Sequence, residues 1–368
     1  MIAYLACAVW VYLVFMHGGF WRSGPELPAV LPRDAPDVDI VVPARDEAAT
    51  IAPVIASLTK QDYPGRFRVI LVDDNSSDGT AALAGADARL TTMSGEAKPP
   101  GWSGKLWALR QGIAAGHAPL ILLTDADIVH APGHLSALVA ALQSRGVAMV
   151  SEMVRLNCTS LAERALVPAF VYFFQMLYPF ARVNDRGSTV AAAAGGVILI
   201  RRDVLTERGG IDAIKTALID DVALASLIKP RAPIYLGHSG LANSIRPYPH
   251  WADIWQMIAR TAFTQLRYSG ALLALTLVGL TLVWLVPPAA MWFGHGAVAL
   301  AGLVAVLLAM TSYWPTLRRY GRSPLWAIAL PLIALFYMAA TVASAAQYWF
   351  GTGARWKNRA YESSPNGN

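Results

Sequence analysis

Charge is scarce in this 368-residue chain, and the places where it is missing are informative. Only 15% of residues are Asp, Glu, Lys or Arg, against 55% hydrophobic, whereas ordinary soluble domains carry about 25% charged residues. That shortfall excludes a purely soluble protein, and the apolar content excludes a disordered one. Residues 1–21 contain no charged side chain, and residues 268–350 hold only Arg318, Arg319 and Arg322. Cysteine is nearly absent as well. Cys7 and Cys158 cannot form a disulfide framework or a four-cysteine zinc site. Two phosphate-binding motifs are also missing. No Gly-x-Gly-x-x-Gly follows the first strand-like run, which argues against a dinucleotide dehydrogenase. Gly104-Lys105 has Leu106 where a P-loop needs Ser or Thr, and Pro99 where it needs Gly.

The charge that is present is unevenly placed. The chain carries a formal +6, yet residues 22–267 are almost balanced, with 24 basic and 23 acidic side chains. Nearly all the excess therefore flanks apolar stretches, as basic anchors flank membrane helices. That distribution excludes a basic groove for nucleic acid. A span of a ~30 Å hydrocarbon core needs about 20 apolar residues. Ile2–Phe20, Ala271–Trp292, Ala297–Trp314 and Leu325–Phe350 reach or approach that length. The first lacks the basic n-region and the cleavage site of a signal peptide, and Arg22 follows it as a retained anchor. Pro287-Pro288 marks the second stretch as the least regular, because paired prolines remove helix hydrogen bonds. The expected organisation is an N-terminal membrane helix (1–21), a globular domain (22–267), a C-terminal membrane region (268–350) and a basic tail (351–368). With Arg22 and Arg33 inside, the globular domain faces the cytoplasm of a multi-pass protein.

The globular part alternates strand-like and helix-like runs. Val38–Val42, Phe67–Val72, Leu120–Leu123 and Val147–Val150 are near-continuous apolar runs. Between them Glu47–Lys60, Gly79–Ala86, Lys105–Ala115 and His134–Ser144 show helical spacing. Such alternation predicts an α/β layer on a largely parallel sheet, with ligands bound beyond the carboxyl ends of its strands. Three of those ends are acidic. The first run leads into Pro43-Ala44-Arg45-Asp46-Glu47, the second into Asp73-Asp74-Asn75, and the third into Asp125-Ala126-Asp127. One acidic turn is ordinary, since Asp, Asn, Ser and Gly are turn residues. Three along one sheet edge are costly unless a cation or hydrogen-bond donors offset them. Asp125 and Asp127 at i and i+2 could share Mg²⁺ or Mn²⁺ with substrate phosphates, although an isolated Asp-x-Asp is a weak signal and more often caps a turn and the following helix.

Taken together these segments resemble a known family. Val41–Glu47, Val72–Thr80, Gly101-Trp102-Ser103-Gly104-Lys105 and Thr124–Asp127, followed by Ile219–Leu224, are similar to the ordered motifs of GT-A glycosyltransferases of family 2. With its membrane segments and Gly101–Ala108, the chain most resembles the bacterial hopene-associated glycosyltransferases. The resemblance implies a Rossmann-like GT-A fold with α-helical transmembrane segments, and roles for particular residues. Pro43, Ala44, Arg45 and Glu47 would border the base and ribose of a nucleotide-sugar donor, UDP-linked by expectation. Asp74 would contact the base and Lys105 the diphosphate. Asp127 would bind the divalent cation, with Asp125 assisting it or the sugar–ribose side. Asp221 would be the general base, matching the aspartate of a Glu-Asp pair whose first member is here Asp220. Gly195 and Gly196 would lie on the acceptor side, though tight core packing explains them as well. The family's Gln-x-x-Arg-Trp is not intact, which leaves Arg260 and Arg267 both as candidates for the diphosphate.

The residues add physical detail. A lysine at a helix start opposes the helix dipole, which mildly favours a functional role for Lys105. Adjacent carboxylates at Asp220-Asp221 repel, and can raise one of them toward a useful base. Leu161–Phe180, interrupted by Pro168 and Pro179, reads either as a helix in the membrane interface or as a buried core helix. The expected activity is inverting transfer of a sugar to a lipid alcohol of hopanoid or other isoprenoid type, at the bacterial inner membrane. The competing readings are a processive polysaccharide synthase and a noncatalytic membrane scaffold or lipid carrier that kept the fold.

Overall fold

A computed structural model describes residues 1–350, together with the backbone of two short tail strands, Arg355–Trp356 and Arg359–Ala360. The expected basic tail otherwise lies outside the described residues. Within them the chain forms two compact units. One comprises Pro25–Asn157 and Arg182–Arg246. The other comprises Met1–Gly24, Cys158–Ala181 and, among the described residues, 247–350.

The first unit is built on an eight-stranded sheet. In chain order the strands are β1 (Val38–Ala44), β2 (Phe67–Asp73), β3 (Leu90–Ser94), β4 (Leu120–Thr124), β5 (Ile128–His130), β6 (Met149–Arg155), β7 (Val197–Arg201) and β8 (Ile234–Ser244). Across the sheet the order is β3-β2-β1-β4-β7-β6-β8-β5. β3, β2, β1 and β4 are parallel, and β6 pairs parallel with β8. β7 runs antiparallel to both its neighbours, and β5 runs antiparallel to β8. Every residue of β1 and β4 is buried, as expected for strands covered on both faces. The one charge inside β1, Asp39, is 1% exposed. It is matched by Arg68 at 2.6 Å, Arg202 at 2.8 Å and the Ala118 amide at 2.7 Å.

The helix Gly104–Ala114 packs on β1 and β2, and Gly112 is what lets it sit so close. A Cβ there would lie 2.4 Å from Val41 Cγ1 and 3.0 Å from Val72 Cγ2. β4 pairs with β1 only through Val41↔Leu123, so Pro43 lies past the end of that ladder, where its missing N–H costs no hydrogen bond. The two strands part there and leave an opening. The first three expected strands extend by one or two residues toward that opening. The fourth starts two residues later than expected, at Met149, because Gly146 (φ +57°) and Val147 close the preceding helix. The stretch Gly79–Ala86 keeps only one helical turn, Thr80–Leu83.

The second unit is helical. Gly270–Phe293, Ala297–Arg319 and Pro324–Trp349 are each long and apolar enough to cross a membrane. Their exposed faces carry large apolar side chains, among them Leu275, Val278, Leu300 and Leu332 at 60–71% exposure. Apolar surface of this extent is rare in water and ordinary in lipid. The Pro287-Pro288 pair does not end its helix. A π-helical turn, Thr281–Leu285, precedes it, and the prolines occupy the first turn of Val286–Phe293, where missing N–H groups are tolerated. Trp10 Nε1 donates to the Val283 carbonyl in that turn at 2.8 Å.

The N-terminal apolar run is helical only over Ile2–Phe15, or 14 residues. That is about 21 Å at 1.5 Å per residue, shorter than the core it was expected to cross. Leu161–Leu177 belongs to this helical unit. Ten of its residues are buried, Tyr172 bonds Ser312 at 2.7 Å, and the Tyr337 hydroxyl donates to the Leu166 carbonyl at 2.9 Å. It is therefore packed among the apolar helices.

Candidate active site at the carboxyl edge of the sheet

Parallel register brings the acidic strand ends together. Ala44 lies opposite Asp73, so Arg45 and Asp74 emerge side by side at the tips of β1 and β2. Arg45 Nη1 donates to the Asp74 carbonyl at 2.5 Å and lies 3.6 Å from its carboxylate. Asp74 is 1% exposed.

A second group forms around Lys105 in the first turn of the Gly104–Ala114 helix, where Ser103 caps the Leu106 amide. Lys105 Nζ lies 2.8 Å from Asp125 Oδ1 and 3.1 Å from Asp220 Oδ2. Burial acts to lower the ammonium pKa, but the Asp125 and Asp220 charges outweigh it and raise it above the ordinary value. The lysine is thus a fixed cation shared by two strand and helix ends. Burial pushes Asp125 up, with Lys105 opposing. Asp221 begins the Asp220–Ile228 helix beside Asp220, and its Oδ2 accepts the Gly195 amide at 2.9 Å. Burial, then the Asp220 charge, push its carboxyl up to about 7, against the opposing pull of Lys105. Pro43, Lys105, Asp125, Gly195, Asp220 and Asp221 line one cleft.

Gly195 belongs there for a steric reason. A Cβ on it would lie 3.3 Å from Asp221 Oδ2 and 3.5 Å from Lys105 Nζ. Gly196 differs, since its Cβ would meet Ile128 and Val154 in the core.

A third group holds Asp127. Its Oδ2 accepts Ser244 Oγ at 2.9 Å and Arg246 Nε at 3.0 Å, while Arg246 Nη2 reaches Glu47 Oε1 at 2.6 Å. Arg246 thus joins the tip of β1 to the turn after β4. It was not among the residues singled out in the sequence. It follows β8, whose apolar run in the sequence is broken by Gly237 and Gly240, and no motif marks it. Arg260 and Arg267 lie in the helical unit, in and just after the Trp251–Gln265 helix.

Among the described residues no three His, Cys, Asp or Glu side chains form a metal cage. Mg²⁺ or Mn²⁺ needs only one or two carboxylates when phosphates complete its shell. Asp127 fits that role. Its Oδ2 is held by two donors, and no described donor reaches Oδ1.

Comparison with known proteins bears on the family and the fold. Residues 39–209 match the sequence model of Glycosyl transferase family 2. An N-acetylglucosaminyltransferase of Bradyrhizobium elkanii is 30% identical over 129 residues, covering 33% of this chain and 69% of that protein. A beta-monoglucosyldiacylglycerol synthase of Trichormus variabilis is 35% identical over 120 residues, covering 31% of this chain and 25% of that one. The first curated relatives are matched over about half of their own length or less. Among solved structures, a mannosyltransferase, PcManGT from Pyrobaculum calidifontis in complex with GDP-Man and Mn²⁺, superposes with a TM-score of 0.56. It is 19% identical, over 95% of this chain and 99% of that one, a likeness of fold.

Proposed function

Because this chain belongs to glycosyl transferase family 2, we propose that its α/β unit moves a sugar from a nucleoside diphosphate donor to a lipid alcohol, with inversion at the anomeric carbon. The observation that carries this reading is the cluster of Lys105 with Asp125, Asp220 and Asp221. One fixed cation there stands beside a carboxyl poised near neutrality.

The donor's base and ribose would lie against the β1 and β2 tips, near Pro43, Ala44, Arg45, Glu47 and Asp74. Lys105 would face the diphosphate, where a compact ammonium suits a spread negative charge. Asp221 would take the acceptor's hydroxyl proton as the acceptor oxygen bonds to the anomeric carbon. The bond from that carbon to the diphosphate oxygen breaks in the same displacement. A carboxylate with its pKa near 7 is basic enough to accept this proton and still ionised at working pH. Asp127, with Asp125 beside it, would hold Mg²⁺ or Mn²⁺, which supplies charge neutralisation on the departing diphosphate. Gly195 would leave room at the acceptor side.

The lipid acceptor is supported by the three long apolar helices and by the relative named as a diacylglycerol glycolipid synthase. The Gly101–Ala108 motif favours a hopanoid or another isoprenoid alcohol, and a UDP-linked sugar is the expected donor. The inner membrane is the expected location, with the α/β unit facing the cytoplasm. Arg318, Arg319 and Arg322, at the end of the Ala297–Arg319 helix, suit that side. Lipid mass spectrometry of a deletion strain tests the whole reading. Loss of one glycosylated lipid, restored by the wild-type gene and not by an Asp221→Asn copy, is the expected result. An unchanged lipid profile would contradict it.

A further inference from the structure

A buried polar chain that plays no part in the reaction proposed above runs through the core of the α/β unit. Glu152 on β6, His134 at the start of the His134–Arg145 helix, His130 on β5 and Thr124 at the end of β4 are each 4% exposed or less. Glu152 Oε2 lies 2.6 Å from His134 Nε2, and His134 Nδ1 lies 2.8 Å from His130 Nδ1. His130 Nε2 is 2.9 Å from the Thr124 hydroxyl, which lies 2.8 Å from the Gly196 carbonyl oxygen.

A hydrogen count fixes what this chain can do. Its four contacts need one hydrogen each. The threonine brings one, each neutral imidazole one and an ionised carboxylate none, so three hydrogens serve four contacts. With three, the proton between His134 and the carboxylate is kept, because facing lone pairs at 2.6 Å repel. His130 then donates to His134, and the Thr124 hydroxyl turns to His130. Gly196 is left with only the Asp125 amide, at a long 3.4 Å.

A fourth hydrogen reverses the order. Thr124 donates to Gly196, His130 to Thr124 and His134 to His130, with one proton between His134 and Glu152. Short distances at all four contacts match this second form. Burial favours it as well, since the first leaves a net negative charge in the core. Burial and the neighbouring His134 hold His130 well below the usual histidine range, so His130 is not the group that carries the extra proton.

We propose that this chain is a proton-dependent positioning device for the cleft, with Thr124 as its moving part. Thr124 precedes Asp125, the partner of Lys105, and Gly196 follows Gly195, whose amide holds Asp221. A proton taken up by the Glu152–His134 pair turns the hydroxyl onto Gly196 and ties those two segments together. Its release to solvent at higher pH unties them. Other groups around the chain are accounted for. Tyr235 of β8 lies on the Glu152 face with Arg145 over its ring at 4.1 Å, and His238 occupies the opposite face. Ser57 accepts the His130 amide at 3.1 Å, and Asp125 and Asp127 are engaged by Lys105 and Arg246.

The activity readout rests on the proposed transfer reaction, so a second readout accompanies it. Glu152→Gln supplies the fourth hydrogen permanently from its carboxamide and cannot titrate. Donor turnover by the full-length wild-type protein should fall at alkaline pH, and that limb should be lost in E152Q. In ¹⁵N-histidine NMR the wild-type His134 signals should shift over the same pH range and those of E152Q should not. Superimposable pH profiles, or wild-type signals that never move, would overturn the proposal. Should neither protein turn over donor, the transferase reading fails and the NMR titration alone decides for or against the chain. If E152Q does not fold, Thr124→Ser should keep the alkaline limb and Thr124→Val remove it. Equal profiles in that pair would count against the proposal.

Discussion

Gly195 donates its backbone N–H to Asp221 Oδ2 at 2.9 Å, across a cleft edge where no side chain longer than hydrogen would leave the carboxylate undisturbed. A residue just before β7 thereby fixes the orientation of a carboxylate that opens a helix 26 positions later. The same carboxylate is buried beside Asp220 and lies within the field of Lys105. Orientation comes from the glycine amide and basicity from the neighbours.

Activity should therefore rise with pH through about 7. Below that value Asp221 is protonated and cannot accept a proton. Above it the base is available. Asp221→Asn should lose transfer by on the order of 10²-fold or more while donor affinity holds, as for a lost general base. Steady-state transfer and donor titration, measured together, check both parts.

Lys105 opposes the rise in the Asp221 pKa. Lys105→Met should raise that carboxyl further and move the acid limb of kcat/KM to higher pH. The donor KM should rise as well, because the diphosphate loses its counter-charge. A pH profile of the variant with an unmoved acid limb would separate Lys105 from Asp221.

Gly112→Ala tests the packing that holds Lys105 in place. The added methyl meets two β-branched side chains in the sheet core, which have no flexible end to give way. Overpacking of this kind typically costs about 1–3 kcal/mol. The expected result is a lower thermal midpoint, and an unchanged one would show that the helix shifts without cost.

Glu163, near the start of the Leu161–Leu177 helix, anchors the helical unit. Its carboxylate accepts the amides of Thr159, Ser160 and Tyr248, at 2.7–2.8 Å. Burial pushes its pKa up, but those donors prevail and hold it at about 2, against an ordinary 4.5. A depressed carboxyl stabilises the fold above its ordinary pKa and loses that contribution as pH falls toward 2. Glu163→Gln should accordingly be less stable than wild type at neutral pH, with the gap closing below about pH 4.5. Thermal melts of both proteins across that range give the comparison.

Much of this site is legible in the sequence because its parts sit at the ends of continuous apolar runs. The β1, β2 and β4 tips follow apolar runs that periodicity marks, whereas Lys105 and the Asp220-Asp221 pair stand out through the family resemblance. Arg246 is not legible, because its meaning lies in a contact with Glu47 across 199 positions. β3 hides for another reason. As an edge strand reading Leu-Thr-Thr-Met-Ser, it is too exposed to show an apolar run. The buried His130–His134–Glu152 chain is equally silent. Two histidines four apart and a distant glutamate mean nothing until a strand, a helix and a second strand bring them together. Leu161–Leu177 is ambiguous in sequence because its aromatic content suits an interface as well as a core. The bond between Tyr172 and Ser312 shows that it packs against the Ala297–Arg319 helix.

The most direct test of the account is cation-dependent donor binding by the full-length protein, wild type against Asp127→Asn, with Mn²⁺ and a UDP-sugar. The wild type should bind the donor only with the cation present, and Asp127→Asn should lose about tenfold or more of that cation-dependent affinity. Equal affinity and equal cation dependence in both proteins would contradict the account.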